Sequence, residues 1–78
     1  MAAPSERLDD VWRWAVAINA AIRRENPDAE LTMLEPPYVF VATGREVTRY
    51  WMPETLGPVK AGPIHLRPPP ANAPPLNW

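Results

Sequence analysis

Tyr38-Val39-Phe40-Val41-Ala42-Thr43-Gly44-Arg45-Glu46-Val47-Thr48-Arg49-Tyr50-Trp51-Met52 is the stretch on which the fold turns. Two runs rich in β-branched and aromatic residues, 38–43 and 47–52, flank a short turn, Gly44-Arg45-Glu46, whose glycine can take positive φ. The pattern predicts a β-hairpin over 38–52. On its second strand Val47, Arg49 and Trp51 share one face, and Thr48, Tyr50 and Met52 the other. Both faces mix polar with apolar residues, so the alternation does not select the one that packs inward.

Upstream of the hairpin, Leu31-Thr32-Met33-Leu34 is a short apolar run that predicts a strand over 31–34, broken by Pro36-Pro37. Before Pro27 the period becomes helical, and residues 5–26 read as one helix. Ser5 is its expected N-cap. Glu6, Asp9 and Asp10 near the start and Arg23 and Arg24 near the end complement the macrodipole. Asn26-Pro27 stops the helix, because proline disfavours helical geometry in the residue before it and supplies no N–H. At 100° per residue Leu8, Val11, Ala15, Ile18 and Ile22 form one stripe, the expected core face, with Trp12 at its edge. Trp14 falls on the flank beside Ala17 and Ala21, a second face suited to another helix or chain.

Downstream, the composition shifts at Pro53. Eight of the last 26 residues are proline, and Pro53, Pro58, Pro63 and Pro68 recur at every fifth position. So many missing donors exclude a helix or a central strand and predict an extended arm, partly polyproline II. Val59, Ile64, Leu66, Leu76 and Trp78 lie along it, and an idle solvated linker has no use for them. The expected fold is therefore α+β. A body over 1–52 packs one N-terminal helix on a small antiparallel hairpin or sheet, and an extended proline-rich arm follows over 53–78.

The body is slight. Helix and hairpin together occupy residues 5–52, whereas domains below ~40 residues generally need a disulfide, a metal or a partner, and one of ~60 is already marginal. The chain has no cysteine and one histidine, His65, so neither staple is at hand. Extra buried surface must come from the arm folding back, from self-association or from docking on a larger surface. Four tryptophans in 78 residues fit that need, since aromatic anchors carry a disproportionate share of interface energy. The residues expected to bind a partner are Trp14, Trp51, Val59, Ile64, Leu66, Leu76 and Trp78.

Other chemistries find little footing. Ser5 is the sole serine, so a Ser/His/Asp arrangement is not expected, nor is any cofactor. The three glycines are isolated and form no phosphate cradle. Arg45, Arg49, Tyr38, Phe40, Tyr50 and Trp51 would make a small stacking platform with basic edges, but the net charge of −1 argues against nucleic acid as a partner. Charge is split along the chain: residues 1–35 carry seven acids and four bases, residues 36–78 two acids and four bases, so head and tail can attract each other. The longest apolar run, Trp14 to Ile18, is far short of the roughly 20 residues that span a bilayer. The N-terminus lacks the basic flank and apolar run of a signal peptide. A soluble protein is expected.

No residue motif of a known family is present. The layout of short helix, hairpin and proline-rich arm resembles that of small virion and assembly proteins. The expected function is non-enzymatic: a structural component of a larger protein assembly or homo-oligomer, such as a bacteriophage capsid, decoration or connector protein. The alternative is a small cytoplasmic inhibitor of a single host protein.

Overall fold

The structure, a computed structural model, describes residues 3–74, with side chains from residue 9 onward. The helix spans Ala3–Glu25 and is followed by strands β1 (Ala29–Glu35), β2 (Tyr38–Thr43) and β3 (Glu46–Trp51) and a 3-10 turn, Pro53–Leu56. The strands form one antiparallel sheet in the order β1-β2-β3. The architecture is α+β, with the helix packed on one face of the sheet.

The helix begins two residues earlier than the sequence suggests, so Ser5 lies inside it and is not the cap. Pro4 explains the shift: in the first turn a missing N–H costs nothing, because those donors have no intrahelical acceptor. At the far end Asn26 N–H still reaches the Ile22 carbonyl at 2.9 Å. Asn26 then turns the chain, its side-chain oxygen accepting from Asp28 N–H (3.1 Å) and its carbonyl from Ala29 N–H (3.0 Å). That turn starts β1 at Ala29, two residues before the expected strand. Acidic Glu30 and Glu35, both exposed, had masked the strand's true length.

The hairpin forms as expected, with a tighter turn. Thr43 pairs with Glu46, leaving a two-residue turn, Gly44-Arg45. Gly44 has φ of +64° and no described non-glycine residue has positive φ, the pattern of a type II′ turn. Pro36-Pro37, joined by a cis bond, makes the tight connection between β1 and β2. β1 carries a bulge at Thr32, whose hydroxyl donates to the Phe40 carbonyl at 3.1 Å.

The register decides which face is inner. Val39, Val41, Tyr50, Leu31 and Leu34 point at the helix, with Met52 just beyond β3. The Thr48/Tyr50/Met52 side of the second strand therefore packs inward. On the helix the buried stripe is Trp14 and Ile18, with Ile22 half-buried. It is rotated by about 40° from the expected stripe. Trp14, 3% exposed, is a core residue, and Trp12, 69% exposed, is not. The cause is a long-range partner. Trp14 Nε1–H donates to the Gly57 carbonyl at 2.7 Å, so the indole is satisfied as well as buried.

Both sheet edges are blunted. At β1, Asn19 Oδ1 on the helix accepts the Leu31 N–H at 3.1 Å. At β3 the returning chain makes one bridge, Trp51 N–H to Arg67 O (2.6 Å) and Arg67 N–H to Trp51 O (3.4 Å). Prolines flank it on both sides and weaken any extension. The neighbouring antiparallel pairs would be Arg49 with Pro69 and Pro53 with His65, and each contains a residue without an N–H.

Candidate functional site

The anchors expected from the sequence divide into three groups. Trp14 is consumed by the core and offers no face to a partner. Ile64 and Leu66 are half-buried against the core cluster of Trp14, Ile18, Ala29, Val39, Val41 and Met52. They bring the first half of the expected arm back onto the body, which takes the fold-back route left open by the sequence. Met52 and Thr55, on either side of the expected body–arm boundary, are 2% and 3% exposed, and the Thr55 hydroxyl donates to the Met52 carbonyl at 2.7 Å. An exposed Arg67–Glu54 contact at 3.4 Å adds little. Val59 is 37% exposed. Leu76 and Trp78 lie outside the described residues.

Trp51 belongs to the outer face of the sheet, away from the helix. There it meets its cross-strand partner Tyr38 edge-on, with ring centroids 5.5 Å apart and planes at 72°. The Arg49 guanidinium carbon stands 5.1 Å from the Tyr38 ring centroid, a cation–π contact. The Tyr38 hydroxyl donates to the Pro74 carbonyl. Under these neighbours Tyr38 is only 3% exposed, although it faces away from the core. Met33 (37% exposed) and Val47 (60%) extend the apolar part of this face beside Phe40 and Ala42.

A second apolar surface, missed by the sequence reading, runs along the outside of the helix. Trp12 is 69% and Val16 55% exposed, and Ala20 is exposed below them. They follow at intervals of four, opposite Trp14, Ile18 and Ile22. The sequence carries two apolar stripes on one helix, and the spacing that starts from Leu8 and Val11 puts Trp12 at the edge of the first.

A cavity of about 700 Å³ opens between the last turns of the helix, the inner face of the sheet and residues 64–67. Its walls include Ile22, Val41, Tyr50 and Leu66, and exposed Glu25 and His65 border it. Asn26, Thr43 and Arg67 also line it, so polar and apolar groups share the lining equally and it favours no one ligand chemistry. Among the described residues no group of three or more His, Asp or Glu is placed to hold a metal, and no helix is long and apolar enough to cross a membrane.

Compared with known proteins, the chain matches no family model, no curated protein and no solved structure, so the geometry itself is the ground for a functional reading.

Proposed function

We propose that this chain is a non-enzymatic binding protein that works as a component of a larger protein assembly. A repeated virion part, such as a capsid, decoration or connector protein, is the role that suits it best. The observation that carries the reading is the exposure of large apolar side chains: Trp12, Val16, Val47 and Leu56 are each 55% exposed or more on a chain of 8.8 kDa. Leaving them in water forgoes burial of roughly 1.5–3 kcal/mol for each fully covered side chain, a loss that association recovers. The folded-back arm supports the reading in a changed form. Residues 53–67 complete the body, so docking falls to the outer surfaces of helix and sheet, where Trp51, an expected anchor, already lies.

Size fractionation of a native extract, followed with an antibody to the chain, tests the proposal. The protein is expected in particles far above its own mass, in a fixed ratio to the same companions. Recovery only at the mass of one or two copies would refute it.

A further inference from the structure

We infer that the outer face of the helix is a self-complementary dimer contact, in which two copies of this chain pack antiparallel about a two-fold axis through Val16. The inference deepens the assembly reading and rests on it, by naming a second copy of the chain as one partner.

The argument starts from which residues share the outer face. At 100° per residue Trp12, Val16 and Ala20 make a stripe, and Asp9 and Arg23 fall within its width at the two ends. All five are exposed. Their arrangement about Val16 is symmetric in position and complementary in kind. Four residues before Val16 stands the largest side chain, Trp12, and four residues after it the smallest, Ala20. Seven before stands an acid, Asp9, and seven after a base, Arg23.

A two-fold axis perpendicular to the helix at Val16 exchanges these positions between copies. Trp12 of each copy then lies on Ala20 of the other, large on small, twice. Val16 meets Val16 on the axis. Asp9 of each faces Arg23 of the other at both rims. An isologous contact requires this self-complementarity, and an unrelated partner has no reason to require it. The parallel arrangement sets Trp12 on Trp12, Asp9 on Asp9 and Arg23 on Arg23, repelling at both ends. Antiparallel packing also opposes the helix dipoles, a small gain in the same direction.

The local ion pair does not compete strongly. Asp9 Oδ2 meets Arg13 at 3.0 Å, with side chains 57% and 65% exposed, so the pair is weak and leaves Oδ1 for a second cation. Arg23, in the last turn, has no ion-pair partner among the described residues. Covering Trp12 supplies an aromatic anchor on each side of the axis.

A contact one helix wide is of the small class, so the dissociation constant is expected to be on the order of 10–100 µM. Sedimentation equilibrium of the purified full chain, with circular dichroism as the check on folding, reads it directly. Trp12→Ala is expected to weaken dimerisation about tenfold or more while leaving helix content intact, because Trp12 makes little contact within its own chain. Asp9→Arg and Arg23→Asp each put like charges at both rims and are expected to be monomeric alone. Mixing the two variants restores opposite charges at both rims and is expected to yield a one-to-one heterodimer. To fix orientation, Val16→Cys in this cysteine-free chain should oxidise to a covalent dimer, whereas Ala20→Cys, facing Trp12 of the other copy, should not. A wild-type chain that stays monomeric at roughly millimolar concentration overturns the inference. So does a dimer indifferent to Trp12→Ala, or charge variants that fail to rescue each other. Any of these results leaves the assembly reading standing if the native extract still holds the chain in large particles.

Discussion

Trp14 and Gly57, 43 residues apart in sequence, are joined by a 2.7 Å hydrogen bond from indole N–H to backbone carbonyl. The bond ties the middle of the helix to the segment that follows the sheet and so makes residues beyond 52 part of the core. Trp14→Phe keeps most of the apolar volume and removes the donor, and should cost about 1–2 kcal/mol in chemical denaturation. Trp14→Ala adds a cavity and should cost about 3–5 kcal/mol, enough to unfold a domain of this size. Equal, small losses in the two variants would mean that the indole is not a core element.

Removal of residues 53–78 strips Gly57, Thr55, Ile64 and Leu66 from Trp14 and Met52 together. The truncated chain is expected to lose its cooperative unfolding transition, followed by near-ultraviolet circular dichroism or by tryptophan fluorescence. A sharp transition at unchanged denaturant concentration would show that the helix and sheet suffice.

Gly44 meets nothing within 4 Å at the place where a Cβ would sit, so space is no obstacle to substitution there. Its φ of +64° is the obstacle. Gly44→Ala should cost on the order of 1–2 kcal/mol through backbone strain alone. Gly57, with φ of −120°, should accept alanine with little change. A thermal melt that ranks the two variants the other way would contradict the turn geometry.

Trp51 donates its N–H away from β2 to Arg67, and by the alternation of an antiparallel strand the N–H groups of Arg49 and Val47 point the same way. Among the described residues the returning segment bonds β3 only at Trp51, and no backbone carbonyl of that segment accepts from Arg49 or Val47. Hydrogen exchange should therefore find Trp51 protected and Arg49 and Val47 fast, within one strand. Uniform protection along β3 would mean that something else covers that edge.

Tyr38→Phe deletes the donor to Pro74 and leaves the ring for Trp51 and Arg49. The expected loss is about 0.5–1.5 kcal/mol, together with faster exchange at Ala71 to Ala73. Unchanged exchange there would place the holding contact elsewhere.

The hairpin was legible because β-branched and aromatic residues crowd two runs around a single glycine. Helix existence was legible for similar reasons, from apolar spacing, basic residues in the last turn and the Asn26-Pro27 stop. Helix phase was not. Trp12 and Trp14 stand about 200° apart on the helix, alanines lie beside both, and local pattern gives either a claim to the core. The choice depends on a carbonyl at position 57 that no window around the helix contains. The inner face of the sheet was hidden for a related reason. Tyr38, Phe40 and Trp51 outside match Val39, Val41, Tyr50 and Met52 inside in apolar content, because the outer face is itself partly covered. The proline count announced an extended segment correctly in kind. That its apolar residues would fold inward followed from no local rule, only from the shortage of core in what precedes it.

The closing of the core by Ile64 and Leu66 bears on how the molecule is made. Helix and hairpin leave the ribosome first, with inner surfaces bare, and the segment that closes over them follows about a dozen residues later. Closure of the unit thus waits for residues 64–66 to clear the ribosome, and until then the bare inner surfaces are open to holding chaperones.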